Sequence, residues 1–240
     1  MNSRMRTCKA ACAFILLVGG PGFVVAEPPP DLQRIDADSL CVTNGAIRPL
    51  PDGRLSIDSA SSRAVVREAT PQTAEIRFRY LGPSAASKPL ASGELRRQIG
   101  IKLRAEDSCN LLYAMWHIEP DSRIAVSIKR NPGQRTHAEC GAHGYRNIKP
   151  HLSRSLPPIS PGEVHQFRAA LRGARLTLTA DGRVVWEGDV SAQALPFDGP
   201  VGLRTDNARF ELEFFAGAPE SGTGAPLQSG FYRCEQESGD

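Results

Sequence analysis

Long hydrophobic runs, amphipathic-helix patterns and a surplus of one charge are all missing from this sequence of 240 residues. Because no run of 18 or more apolar residues occurs, a membrane-spanning helix is excluded. The formal charge of +3 comes from Arg4, Arg6 and Lys9, since the other 26 basic residues equal the 26 acidic residues in number. Bulk attraction of the remaining chain to nucleic acid or to anionic lipid is therefore excluded.

The first 26 residues have the three-part organisation of an export signal. Residues 1–9 form a short basic segment, residues 10–18 form an apolar segment, and the small residue Ala26 precedes a proline-rich stretch. This pattern predicts cleavage after Ala26 and a secreted or periplasmic mature protein. The alternative, a short buried helix, fits the basic start and the proline-rich exit poorly. Lipidation is not expected, because no cysteine directly follows the apolar run.

Four cysteines remain after the predicted cleavage: Cys41, Cys109, Cys140 and Cys234. An even number of cysteines in an exported chain indicates disulfides rather than catalytic thiols. Three connectivities are possible. We predict a Cys41–Cys234 bond, because these residues lie near the two ends of the mature chain and the termini of a sandwich are often close together. Cys109 and Cys140 then form the second bond.

Short segments with period-two alternation run through the whole chain. About eleven of them, mostly five to ten residues long, are separated by turn residues, and no window has a convincing amphipathic-helix pattern. Asp181-Gly182 between two such segments is a strong hairpin signal. The pattern predicts an all-β fold, a two-sheet antiparallel β-sandwich or jelly roll with little helix, in one domain over residues 27–217. Residues 218–240 form a Gly/Pro/Ser-rich tail that the predicted disulfide anchors at its end.

The segment from His165 to Gly217 carries a family resemblance. It contains a strand, a strand–Asp-Gly–strand hairpin, the stretch GPVGLRT and a final strand. This order resembles the closing strands of the concanavalin A-like lectin and glucanase jelly rolls. The resemblance covers about fifty residues directly and implies the jelly-roll fold, whereas fold alone does not assign function. The Glu-x-Asp-x-x-Glu motif of the glucanases is absent, and Glu187-Gly188-Asp189 is interpreted as a solvated strand end.

A second resemblance concerns the polyuronate lyases of the same shape. Glu94-Leu95-Arg96 and Gln98-Ile99 are similar to the Arg-bearing and Gln-bearing strands of alginate-type lyases. Those enzymes neutralise a uronate carboxylate with Arg, Gln or Asn and use His and Tyr for proton transfer. Gly100 stands here where the lyases have His, and their final Tyr-containing motif is missing after residue 200. A lyase is therefore the weaker alternative.

The segment 129–150 concentrates functional residue types. One interpretation is a zinc site of His137, Cys140 and His143, which the predicted oxidation of Cys140 disfavours. Another is a binding loop at the rim of the sandwich, and a third is a purely structural loop. The binding interpretation includes Arg135, His137, His143 and Tyr145 among the candidate ligand-binding residues.

Strand parity predicts an outer face that is polar and basic. Alternate residues of the segment 110–119 point to opposite faces of a strand. The set that includes Trp116 is the more apolar one, so we assign it to the core, and the other set faces outward. That outward set is too apolar for open solvent and indicates a covered or ligand-facing surface, although an ordinary solvated sheet face is the alternative. The residues predicted to line a ligand groove on this face are Arg96, Gln98, Tyr113, His117 and Lys129.

These observations predict an exported carbohydrate-recognising protein that binds an acidic polysaccharide through planar and cationic side chains. Tyr113 would stack under a sugar ring, and His117 would donate a hydrogen bond or, in a lyase, carry a proton. His117 and Tyr113 are therefore the catalytic candidates if the protein is an enzyme. No metal, cofactor, nucleic acid or membrane insertion is expected. The alternatives are a polyuronate lyase on the same groove and a structural, envelope-associated sandwich without a small ligand.

Overall fold

A computed structural model describes residues 30–68, 72–190, 192–217 and Cys234. The predicted export signal and, apart from Cys234, the predicted tail lie outside the described residues. None of the described helices is both long and apolar enough to cross a membrane.

The described chain contains a 3-10 turn (Ala37–Ser39), a four-residue helix α1 (His137–Cys140) and fourteen strands. In chain order the strands are β1 (Leu32–Ile35), β2 (Leu40–Asn44), β3 (Arg48–Pro49), β4 (Leu55–Val66), β5 (Thr73–Pro83), β6 (Arg97–Leu103), β7 (Leu111–Glu119), β8 (Arg123–Lys129), β9 (Tyr145–Asn147), β10 (Leu152–Ser153), β11 (Val164–Arg172), β12 (Arg175–Ala180), β13 (Arg183–Asp189) and β14 (Gly202–Gly217).

The strands form two layers that share β14. Residues 202–206 of β14 pair with β6, and residues 208–216 pair with β5, while β4 lies on the other side along residues 202–212. The first layer therefore has the order β2–β4–β14–β6–β7–β8–β9, and the second has the order β1–β14–β5–β11–β12–β13–β10. All of these pairings are antiparallel. The predicted two-sheet antiparallel sandwich is confirmed.

One hydrophobic core lies between the two layers. Trp116 of β7 extends from the first layer, and its ring contacts Phe78 and Phe167 of the second layer at centroid distances of 5.7 and 5.8 Å. All three side chains are at most 1% exposed. Alternate residues of each strand supply the core, because successive side chains of a strand point to opposite faces. This burial is the main source of stability for such a fold.

Several strand bounds differ from the sequence prediction. Two pairs of neighbouring alternating segments are each continuous in the structure, as β4 (Leu55–Val66) and as β14 (Gly202–Gly217). The polar residues between the predicted segments pair with neighbouring strands, so they do not interrupt the ladder. Short strands such as β3 and β10 have only two residues each, which is too few for alternation to be seen. The Asp181-Gly182 hairpin is present, with φ values of 50° and 75°.

Both predicted disulfides are present, Cys41–Cys234 and Cys109–Cys140. Cys109 precedes β7 and Cys140 ends α1, so this bond attaches the loop between β8 and β9 to the start of β7. The loop makes further bonds at the same place: the Ser108 hydroxyl donates to the Arg135 carbonyl oxygen at 2.9 Å. The 31-residue separation of the two cysteines makes the bond a substantial constraint on the unfolded chain.

Replacement of both Cys109 and Cys140 by alanine should lower the free energy of unfolding by about 3–4 kcal/mol, because the unfolded chain regains the entropy of a loop of this length. Urea denaturation followed by tryptophan fluorescence measures the loss. The oxidised and reduced wild-type proteins serve as controls. An unchanged urea midpoint in the double variant would contradict the proposed contribution.

Candidate functional site

The outer side of the first layer carries a set of charged, aromatic and amide side chains in three adjacent rows. Strand register places Arg63 beside Arg204, Lys102 beside Tyr113, and Gln98 beside His117. Adjacent strands are about 4.8 Å apart, so the members of a row are within side-chain reach of one another. We call this surface the cationic face and define it by Arg63, Gln98, Lys102, Tyr113, Met115, His117, Tyr145, Arg204 and Asp206.

Arg204 is the centre of the cationic face. Its Nε donates to Asp206 Oδ2 at 2.8 Å, and its Nη1 donates to the Tyr145 hydroxyl at 3.2 Å. Its guanidinium carbon lies 5.0 Å from the centroid of the Tyr113 ring. Burial disfavours the charge of Arg204, but Asp206, Tyr145 and Tyr113 together outweigh this and raise the pKa of Arg204 well above the ordinary value. The guanidinium is therefore a fixed cation at every physiological pH.

Gln98 is held by the same carboxylate. Its Nε2 donates to Asp206 Oδ2 at 2.6 Å, and this bond sets the orientation of the amide. The amide oxygen Oε1 is buried, and among the described residues no donor reaches it. A buried acceptor without a donor costs free energy, of the order of 1–3 kcal/mol. Gln98 Oε1 is therefore a buried acceptor on the outer side of the first layer that no described donor satisfies.

Tyr113 and Tyr145 form an aromatic pair beside Arg204. Their ring centroids are 5.9 Å apart at an interplanar angle of 26°. Burial raises the pKa of Tyr113, and the neighbouring Tyr145 raises it further. For Tyr145 burial acts in the same direction, but Arg204 and then Lys129 favour the phenolate and lower its pKa below the ordinary value. Tyr113 is 3% exposed and Tyr145 is 43% exposed, so Tyr145 is the accessible ring of the pair.

His117 lies on the cationic face and not between the sheets, whereas the adjacent Trp116 is in the core. It is 4% exposed. Burial, followed by the positive charges of Arg96, Arg123 and Arg204, lowers its pKa from 6.5 to about 3. The imidazole is therefore neutral and weakly basic at physiological pH, and its ring nitrogens can donate or accept a hydrogen bond.

Gly100 forms the floor of the face between Arg204 and Met115. A Cβ atom at this position would lie 2.4 Å from the Ala114 carbonyl oxygen and 2.4 Å from Met115 Sδ. The thioether of Met115 thus occupies the space above Gly100. Since even one carbon atom does not fit, a histidine at this position, as in the alginate-type lyases, is incompatible with the packing.

Lys129 was predicted to line a ligand groove, but its side chain is buried within the protein. It is 1% exposed, and its Nζ donates to the carbonyl oxygens of Ser108 and Gly141 at 3.0 and 2.7 Å. Its ammonium group also lies 5.4 Å from the centroid of the Tyr145 ring. These bonds attach the 129–146 loop to the sheet, so Lys129 positions Tyr145 and its ammonium is engaged within the protein.

The other sequence-predicted candidates lie apart from the centre of the face. Arg96 pairs with Glu94, and its carbonyl oxygen accepts a bond from Asn207 Nδ2 at 3.1 Å. Arg135 lines a separate surface cavity of about 300 Å³ together with residues such as Glu106 and Phe197. His143 is exposed on the loop.

His137 begins helix α1 and is half-buried. The zinc alternative for His137, Cys140 and His143 is wrong in this structure, because the Cys140 sulfur is bonded to Cys109. Within the described ranges, no group of three His, Cys, Asp or Glu side chains is arranged to hold a metal.

The sequence prediction missed Arg63, Arg204 and Asp206. Each of them lies within a strand, between residues that belong to the core. Arg63 is only 9% exposed and Asp206 is 0% exposed. One local signal existed: in residues 202–206 the charged Arg204 and Asp206 alternate with the apolar or small Leu203 and Thr205. Period-two alternation assigns them to one face, but only the strand order shows which neighbours they meet.

Comparisons with known proteins concern the fold of the chain. No family model matches the sequence, and no curated protein matches it. Among solved structures, the carbohydrate-binding module CBM66 from Bacillus subtilis aligns with a TM-score of 0.51 and 15% identity, over 72% of this chain and 91% of that one. The Emp46p carbohydrate recognition domain, in a mutant with one tyrosine replaced by phenylalanine, aligns with a TM-score of 0.50 and 14% identity, over 76% and 90% of the two chains.

The chain has the concanavalin A-like jelly-roll fold. The match extends over most of the described chain and thus far beyond the fifty residues on which the sequence resemblance depended. Because the identities are low, the comparisons establish the fold and not the function.

We predict that His117 makes the protein sensitive to acid. The unfolded chain binds a proton at His117 near pH 6.5, whereas the folded protein does so only near pH 3, so its contribution to the free energy of unfolding is lost as pH falls between these values. Replacement by glutamine removes this dependence, and the variant should gain stability relative to wild type between pH 7 and pH 4. Urea denaturation at both values measures the difference, with His143→Gln as the exposed control. Parallel pH curves for wild type and His117→Gln would show that the imidazole is not held neutral.

Proposed function

We propose that the protein binds an anionic polysaccharide on the cationic face. The observation that carries the proposal is the grouping of three cations, Arg63, Lys102 and Arg204, on adjacent strands β4, β6 and β14. Among the described residues that define the face, only Asp206 is acidic. Arg and Lys at this spacing favour a polymer that carries carboxylate or sulfate groups at regular intervals.

The uncharged members of the face suit a sugar ring. Tyr113 and the more accessible Tyr145 offer aromatic surfaces, on which the apolar faces of sugar rings can pack. Gln98 Oε1 offers a buried acceptor for a sugar hydroxyl, and a bond there removes the cost of its missing donor. Charge, stacking and a directed hydrogen bond thus occur together on one sheet face. Such a combination is typical of a site that recognises a polar ring.

The fold comparisons support a carbohydrate ligand in general terms. The two structures with the TM-scores reported above are a carbohydrate-binding module and a carbohydrate recognition domain. They support a saccharide as the class of ligand, while the preference for an anionic one depends on Arg63, Lys102 and Arg204. An exported location, as the N-terminal pattern predicts, would bring the protein into contact with extracellular or envelope polysaccharides.

Replacement of Arg63 by glutamine should weaken the affinity for alginate by about ten-fold or more, because a charged hydrogen bond contributes of the order of 1.5–3 kcal/mol. Isothermal titration calorimetry at low and at high salt measures the change, and the wild-type affinity should itself fall with added salt. Arg175→Gln is the matched control, since it removes the same charge from an exposed position on the second layer.

Three outcomes would contradict the proposal. Equal losses in the Arg63 and Arg175 variants would indicate a general charge effect instead of a site. Equal binding of alginate and neutral dextran would show that the cations do not select the ligand. Absence of binding to a panel of polyuronates and sulfated polysaccharides would favour a structural sandwich without a small ligand.

A lyase on the same face is a second candidate, and the environment of Tyr145 favours it. Its hydroxyl lies 3.2 Å from Arg204 Nη1, and its pKa is lowered, so it is the accessible proton acceptor of the face. In β-elimination, the phenolate of Tyr145 would take the C5 proton of a uronate while Arg204 holds the carboxylate. The C4=C5 double bond forms as the bond from C4 to the glycosidic oxygen breaks, and that oxygen leaves with the electron pair and is then protonated.

The lyase candidate predicts new ultraviolet absorbance from unsaturated ends when the protein is incubated with a polyuronate. Tyr145→Phe should abolish turnover and leave binding within about ten-fold of wild type, because the ring is kept and only the ionisable hydroxyl is lost. His117→Gln should retain turnover, because in this mechanism Tyr145 takes the proton and the weakly basic imidazole does not. A wild-type protein that binds polyuronates without increasing absorbance is a binding protein and not a lyase.

A further inference from the structure

A cavity at one end of the first layer is separate from the cationic face. It has a volume of about 300 Å³ and is lined by residues of three connections: 106–110 between β6 and β7, 130–135 after β8, and 196–197 before β14. We call it the loop cavity. None of its lining residues belongs to the set that defines the cationic face. Its volume is at the lower end of the range for small-molecule sites, so it fits one small molecule.

Bonds between the connections fix the walls of the loop cavity. Arg104 has a φ of 47°, a conformation that is strained for a residue other than glycine. Its N–H donates to Gln72 Oε1 at 2.7 Å, and its Nη1 donates to the Phe197 carbonyl oxygen at 3.2 Å. Asn110 Nδ2 donates to the Gln134 carbonyl oxygen at 2.8 Å and so joins the other two connections. Strained conformations persist only where neighbouring contacts fix them, and they occur preferentially at functional sites.

The loop cavity carries available charges of both signs. Within the described residues, no hydrogen bond or close ion pair engages the carboxylate of Glu106 or the guanidinium groups of Arg130 and Arg135. All three residues line the cavity and are exposed. The carboxylate of Asp107, in contrast, accepts bonds from the backbone N–H and the side-chain amide of Asn110 at 2.7 and 3.0 Å. Glu106, Arg130 and Arg135 are therefore the charged groups that a ligand can engage.

Glu106 lies in a negative environment. Burial raises the pKa of Glu106, and the carboxylates of Asp107 and Asp198 raise it further, while Arg135 acts in the opposite direction. A positive ligand group beside Glu106 would favour its charged form. The same carboxylates disfavour a multiply charged anion such as phosphate, although two guanidinium groups line the cavity.

The remaining wall of the loop cavity is apolar. It consists of Pro132, Pro196 and Phe197, and Phe197 is 6% exposed. Apolar side chains of this kind pack against the carbon atoms of a ligand, while a few polar groups fix its orientation. The complete lining thus suits a small molecule that has one positive group, one negative group and a short hydrocarbon part.

We propose that the loop cavity binds a zwitterion of the size of an amino acid or a dipeptide. The ammonium group of the ligand pairs with Glu106, and its carboxylate accepts hydrogen bonds from Arg130 and Arg135. The hydrocarbon part packs against Phe197. This site is additional to the cationic face and does not depend on the proposed function.

Titration of the nitrogen-15-labelled protein with the dipeptide alanylalanine, followed by NMR, tests the proposal. The N–H signals of Gly133 and Gln134, which line the cavity, should shift and saturate. Acetylation of the dipeptide amino group, or amidation of its carboxylate, should each weaken binding by about ten-fold or more, because each removes one charged partner.

Variants of the cavity identify the partner of each ligand group. In Glu106→Gln, acetylation should change the affinity by less than about two-fold, because the interaction that acetylation removes is already absent. Arg130→Gln combined with Arg135→Gln should abolish the effect of amidation in the same way. The controls Asp121→Asn and Arg172→Gln remove charges of the same signs at exposed positions elsewhere and should bind like wild type. Thermal denaturation verifies that all variants are folded.

Four results would overturn the inference. The first is the absence of shifts up to the solubility limit of alanylalanine. The second is equal affinity for the free and the capped dipeptides, since the cavity would then not select a zwitterion. The third is an acetylation effect of the same size in wild type and in Glu106→Gln. The fourth is a set of shifts centred on Gly100, which would place the dipeptide on the cationic face. Because no polysaccharide is present, failure here is distinguishable from failure of the proposed function.

Discussion

The structure depends on one strand that changes partners in the middle. Strand β14 leaves β6 and joins β5 at Asn207, which has a φ of 58° and is 0% exposed. Asparagine tolerates this left-handed conformation better than most residues. Its side chain satisfies two backbone groups: Nδ2 donates to the Arg96 carbonyl oxygen at 3.1 Å, and Oδ1 accepts from the Lys88 N–H at 2.9 Å. The two sheets are joined through this bend, since both contain β14.

The bend also separates two environments on one strand. Before Asn207, Arg204 and Asp206 turn to the outer side of the first layer, where Gln98 and Arg63 adjoin them. After it, Phe210 and its alternate neighbours turn into the core. Buried charges are tolerated only with partners, and the Arg204–Asp206–Gln98 group supplies them. The same group fixes the positions of these charges within the protein.

The outer sides of the two layers carry different sets of charged residues. On the second layer, Glu75 pairs with Arg77 at 2.7 Å and Glu213 pairs with Arg34 at 3.3 Å. On the first layer, the defining set of the cationic face has three cations and one carboxylate, Asp206, which pairs with Arg204 at 2.8 Å. The net charge of the chain does not show this grouping, because Arg63, Lys102 and Arg204 come together only through the strand order.

The sequence by itself determined the features that depend on local alternation or on very few alternatives. The all-β sandwich followed from period two, the Asp181-Gly182 hairpin followed from turn chemistry, and both disulfides followed from four cysteines of which two lie near the ends of the predicted mature chain. The tertiary structure decided the composition of the cationic face, because Arg204 and Arg63 are 141 positions apart and meet only through the order of the strands. It also decided that the Lys129 ammonium is bonded to the Ser108 and Gly141 carbonyls. Alternation gives the side of a strand on which a residue lies, whereas its neighbours depend on pairings between distant segments.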